Sequence, residues 1–160
     1  MRRDQTRRAM QDTGNNATHA RLFITHLAPG ATPAAVADIF KRTRETHKRL
    51  AIGGAMLFDG ERFGYGIFGA VAALAAAVDA VQSDLRQTGL QLLSSIEGAI
   101  PAGWPATGWR SGWTEPDGLA TLAAPAADRG SVGVGVGVDV GGGVDVFALW
   151  AQLLGASDLL

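Results

Sequence analysis

Two apolar runs, Leu50 to Phe58 and Arg62 to Phe68, are separated by Asp59-Gly60, and this pairing limits the fold more than anything else in the chain. Asp-Gly supplies positive φ at both central positions of a type I′ turn, the turn that joins two antiparallel strands. Side chains alternate between faces along a strand, so Phe63, Tyr65 and Ile67 share one face while Gly64, Gly66 and Phe68 share the other. One face of the second strand is bulky. The other is reduced to hydrogen at two positions.

The segments around this hairpin complete a pattern. Arg21 to Leu27 (RLFITHL) is β-branched and aromatic and reads as a first strand ended by Pro29-Gly30. Thr32 as N-cap and Pro33 at the first helical position open a helix to about His47, with Val36, Ile39, Phe40 and Thr43 at helical spacing. After Gly69, an alanine-rich helix presents Val71, Leu74, Val78, Val81 and Leu85 as an apolar stripe, and Gly89 stops it. Leu90 to Ile96 is a fourth strand, and Gly108 to Trp113 a fifth. The order β-α-β-β-α-β-β is the ferredoxin-like α+β pattern with one extra strand, its first and third strands central and both helices on one face.

The 160 residues suffice for about one domain, and 47% hydrophobic content is enough for a single core. A net charge of −1 implies no bulk attraction to nucleic acid or to an acidic membrane. Arg2, Arg3, Arg7 and Arg8 crowd the N-terminus; residues 1–20 read as a disordered basic arm, either solvated or touching phosphates or headgroups. Absence of cysteine removes disulfides, thiolate metal sites and cysteine nucleophiles. No apolar run approaches about 20 residues, so a soluble, cytoplasmic protein is expected.

From Glu115 the composition changes. SVGVGVGVDVGGGVDV is a low-complexity Gly/Val tract, readable as a one-faced strand or as a linker, and residues 115–145 are taken as the linker. Residues 146–160 hold a short apolar helix. Its Phe147, Leu149, Trp150 and Leu153 either patch an open sheet face or contact a second copy.

No catalytic motif stands out. GYGIFG, Gly64 to Gly69, matches G-x-G-x-x-G, but it lies on the second arm of a hairpin rather than in a βαβ unit. His19, His26 and His47 show no metal-ligand spacing, and nothing resembles a nucleophile elbow, so an enzyme is not expected.

From Arg21 to about Trp113 the sequence resembles the BLUF domains, blue-light sensors that use FAD. ADIFKRTRETHKRLAIGG runs beside the family's helix, paired asparagines and G-I-T-G strand entry. FDGERFGYGIFG is similar to its tyrosine-aspartate-glycine hairpin followed by R-F-L-Q-V-L-E-G. Asp84, Arg86 and Gln87 resemble its aspartate and arginine-histidine helix end, and WRSGW its W-S-M-G-F strand. The resemblance implies a flavin pocket touching Ile24, Ile39, Arg44, His47, Tyr65 and Asp84. It also implies that the photochemical residues are replaced: Ile24 for the electron-donating tyrosine, Tyr65 for the relay glutamine, Thr46 and His47 for the asparagines, and Ser111 for the methionine. Isoleucine has no redox or hydrogen-bonding capacity. The implied protein is a sensory module acting on a protein partner or as a homodimer, its FAD either displaced by Tyr65 or served by Tyr65 as a relocated donor.

Overall fold

The computed structural model describes residues 18–105, 108–123 and 145–159. The arginines of the N-terminal arm and nearly all of the Gly/Val tract lie outside them. Among the described residues the strands are β1 (Thr18–Leu27), β2 (Gly53–Phe58), β3 (Arg62–Ala70), β4 (Gln87–Glu97), β5 (Trp109–Trp113) and β6 (Asp158–Leu159). The helices are α1 (Pro33–Arg49), α2 (Val71–Gln82) and α3 (Val146–Ala156), and residues 120–123 are also helical. The sheet order is β4-β1-β3-β2-β5-β6, with β1 antiparallel to β3 and β4, and β5 parallel to β2. This is the expected α+β ferredoxin-like sheet with its one extra strand, β5, extended further by a short β6.

Local chemistry sets these boundaries. Thr32 accepts a hydrogen bond from the Ala35 N–H at 3.3 Å and Pro33 follows it, so α1 starts where its cap dictates. α1 runs two residues past His47, to Arg49. β1 begins inside the expected arm, because Ala20 is fully buried and pairs with Phe68. α2 ends at Gln82, before the expected stripe is complete: Leu85 is 90% exposed in the loop, and β4 begins at Gln87 rather than after Gly89.

The hairpin turn also differs from expectation. The Asp59 N–H donates to the Arg62 carbonyl, so the two-residue loop is Gly60-Glu61, and only Gly60 has positive φ (101°). Asp59 acts through its carboxylate instead. Oδ1 accepts from the N–H groups of Glu61 and Arg62, and Oδ2 accepts from the Leu119 N–H. A buried carboxylate thus ties the hairpin to a segment beyond β5.

Two cores sandwich the sheet. On one face Phe23, Met56, Phe63, Tyr65 and Ile67 meet Val36 and Ile39 of α1 and Leu74, Ala77 and Val81 of α2. On the other, Leu22, Ile24 and Leu57 meet Leu119, Leu122 and α3. Leu119 and Leu122 are fully buried, so the packed molecule continues past the expected boundary at residue 115. The bare face of β3 is what admits α3. A Cβ at Gly64 would lie 2.7 Å from the Trp150 ring, and one at Gly66 would lie 2.2 Å from its Nε1. Of the two readings of the C-terminal helix, α3 patches its own chain's sheet, with Trp150 fully buried.

Candidate functional site

α1 and α2 lie side by side on one face of the sheet and leave a cleft of about 600 Å³ between them. Ile39, Thr43, Thr46 and His47 line it from α1, Ala77, Ala80 and Val81 from α2. Ser83, Asp84 and Arg86 close one end from the loop, and Gln87 enters from the start of β4. Apolar walls with a few convergent polar groups suit a small ligand.

Behind Gln87 the floor is built from three strands. The Tyr65 hydroxyl on β3 and the Thr25 hydroxyl on β1 both donate to the Gln87 side-chain carbonyl, the latter at 2.8 Å. The Gln87 amide donates in turn to Asp84 Oδ2 at 3.3 Å. That carboxylate requires a donor facing it, which fixes the amide's orientation. Tyr65 is fully buried and stacks on Phe23, ring centroids 4.6 Å apart and planes inclined by 11°. Burial raises its pKa far above the usual phenol range, so the hydroxyl remains a donor.

An ionic strap crosses the mouth of the cleft. Arg86 Nη1 reaches Asp38 Oδ2 on α1 at 2.5 Å, Arg86 Nε reaches Asp84 Oδ1 at 2.9 Å, and Arg42 Nε meets Asp38 Oδ2 at 2.9 Å. The Arg86 hydrogen bond holds the Asp38 carboxyl below the usual range. At Asp84 partial burial works to raise the pKa, but the Arg86 hydrogen bonds outweigh it and the net shift is downward.

His47 stands apart from this network. It is 1% exposed, its Nδ1 has no hydrogen-bond partner, and it meets the Trp109 ring edge-on at 4.2 Å. Burial pushes its pKa down to about 4, so the imidazole is neutral at pH 7. Among the described residues no group of acidic residues and histidines is placed to hold a metal ion.

The residues implied by the resemblance are only partly brought together. Ile39, His47 and Asp84 line the cleft, and Tyr65 stands at its floor. Ile24 does not. It pairs with Gly64 and packs in the opposite core, because one step along a strand reverses the face. The residue of β1 that faces Tyr65 is Phe23, paired directly opposite it. Arg44 is exposed and lies across α1 from this cleft, its Nη2 donating to Ser111 Oγ at 3.3 Å. Sequence reading gave no part in the site to Thr25, Thr43 or Phe23. The alternation of RLFIT pairs Phe23 with Thr25 on one face, and it takes one known cross-strand partner to choose which face that is.

This geometry is an interhelical cleft on one face of a mixed α+β sheet ordered β4-β1-β3-β2-β5-β6. Solved structures make the likeness specific. BlrB, a BLUF protein in its dark state, is 17% identical with a TM-score of 0.57, covering 86% of this chain and 98% of that one. Klebsiella pneumoniae BlrP1 with FMN and cyclic diGMP is 22% identical at TM-score 0.50, covering 59% of this chain and 25% of that one. A bacterial light-regulated adenylyl cyclase is 14% identical at TM-score 0.54, covering 71% and 34%. The chain therefore has a BLUF-like fold. It spans nearly all of BlrB but only about a quarter and about a third of the two larger proteins. No family model and no curated protein matches the sequence.

Proposed function

We propose that this chain is a sensory or regulatory module of BLUF-like fold that acts through contacts with a partner protein or a second copy, and that the standard flavin photocycle is lost. The observation that carries this reading is the floor of the cleft. Phe23 and Tyr65 fill it as a buried stacked pair, Phe23 rather than the expected Ile24 standing opposite Tyr65. Phenylalanine has no hydroxyl proton to move. No enzymatic role is assigned.

The residues of the cleft fit a planar ring ligand, flavin included. Ile39, Ala77 and Val81 offer apolar walls, and the unpartnered Nδ1 of the neutral His47 is a buried polar atom still lacking a hydrogen bond. Asp84 and Gln87 offer an acceptor and an amide at the ring's edge. BlrP1 has been solved with FMN, which supports flavin as the ring. A bound flavin would absorb blue light and accept an electron.

One observation favours a second reading, a FAD-binding blue-light photoreceptor in which Tyr65 is the donor. Its phenol is hydrogen-bonded to Gln87, so this chain holds a tyrosine–glutamine pair on β3 and β4. The absorption spectrum of protein purified after incubation with FAD or FMN separates the two. Flavin bands that persist through gel filtration and change on illumination sink the lost photocycle; colourless protein sinks the photoreceptor. If flavin does bind and respond, Tyr65→Phe is expected to alter the light-induced spectral change, and identical traces would retire Tyr65 as donor.

A further inference from the structure

A second cleft of about 600 Å³ lies where the end of α1 passes into β2, on the opposite side of α1 from the first. Its walls are Ile52, Phe68 and Trp109, with Gly53 and Gly108 contributing no side chains. Arg44 and Lys48 stand over it, four residues apart and so on one face of α1. Arg44 is held toward β5 by its bond to Ser111 Oγ at 3.3 Å. Among the described residues neither cation forms an ion pair, whereas Arg42, Arg62 and Arg86 all do. The Trp109 Nε1 is buried without an acceptor. A ring seated against the Trp109 indole would change the surroundings of that N–H.

We propose that this cleft is a second binding site, for a flat aromatic ring carrying an anionic group. The ring would lie between Ile52, Phe68 and Trp109, and the anion would meet Arg44 and Lys48. A volume near 600 Å³ admits a ligand of two or three fused rings. Two cations without acidic partners on one rim exclude a cationic ligand and give a neutral one nothing to neutralise. An aromatic carboxylate and an aromatic phosphate share this chemistry. The proposal does not rest on whether flavin occupies the first cleft.

The test uses the full chain, labelled with ¹⁵N, titrated with 1-naphthoate, 1-naphthyl phosphate and the neutral 1-naphthylmethanol. The expected result is a saturable shift of the Trp109 indole N–H resonance with either anion, the tighter of the two identifying the anionic group. The alcohol should bind at least about tenfold more weakly, as should both anions with the Arg44→Gln/Lys48→Gln variant, each tenfold being about 1.4 kcal/mol. Both positions are exposed, so the variant is expected to fold, and its indole spectrum without ligand checks this. An unmoved Trp109 resonance, equal affinity for the alcohol, or unchanged affinity in the variant would overturn the proposal.

Discussion

His47 is a side chain of the interhelical cleft whose proton uptake the fold displaces into the mildly acidic range. An unfolded chain takes up its proton near pH 6.5, whereas the folded chain resists until about pH 4. Because the folded pKa is depressed, the stabilisation from keeping the ring neutral is complete above pH 6.5 and is lost as the pH falls toward 4. By linkage the loss between pH 7 and pH 5 is about 2 kcal/mol. Urea midpoints at the two pH values should therefore move further for wild type than for His47→Gln. Equal shifts would mean that the folded ring titrates normally. A helix periodicity that keeps His47 in step with Ile39 and Thr43 makes its burial legible in the sequence. The missing partner at Nδ1 is not, since it depends on Trp109 arriving from β5, more than sixty residues along the chain.

At the scale of elements, β3 has two opposite faces with different tasks. Tyr65 points to the cleft, and Gly64 and Gly66 on either side of it leave a notch that Trp150 fills from behind. Gly66→Ala puts a methyl group into the indole and is expected to cost about 1–3 kcal/mol as overpacking. Trp150→Ala empties a fully buried site and is expected to cost about 3–5 kcal/mol. In the double variant the clash vanishes, so its cost should fall short of the sum by about 1 kcal/mol or more. Denaturant unfolding of the four proteins reads this coupling, and additive costs would place Trp150 elsewhere. The bulky and bare faces of β3 follow from strand alternation and were legible in FGYGIFG. That the bare face receives a tryptophan from the far end of the chain was not, because no local pattern records a contact between residues about 85 positions apart.

For the whole molecule, the two cores make opposite demands on the chain. The helix-side core is assembled from neighbours in sequence, but the second closes only when α3 returns over Leu22, Ile24 and Leu57. Removing residues 145–160 should expose that face, lower the unfolding temperature and cause self-association, seen as a rise in mass by light scattering. A fall in mass on truncation would instead show that α3 joins two copies. No helix among the described residues is long and apolar enough to cross a membrane.

By itself the sequence determined the order of elements, the ferredoxin-like α+β sheet and the hairpin between β2 and β3, since caps, glycines and side-chain period act within a few residues of their position. Of the six residues that the resemblance implies, Ile39, His47 and Asp84 are the ones found lining one cleft. Tertiary structure alone decided the rest. Pairing of β1 with β3 turned Ile24 away and Phe23 toward Tyr65, because register sets the face of every residue in a strand at once. The same pairing of distant strands brought Thr25, Tyr65 and Gln87 into one hydrogen-bonded cluster, which neither spacing nor composition encodes.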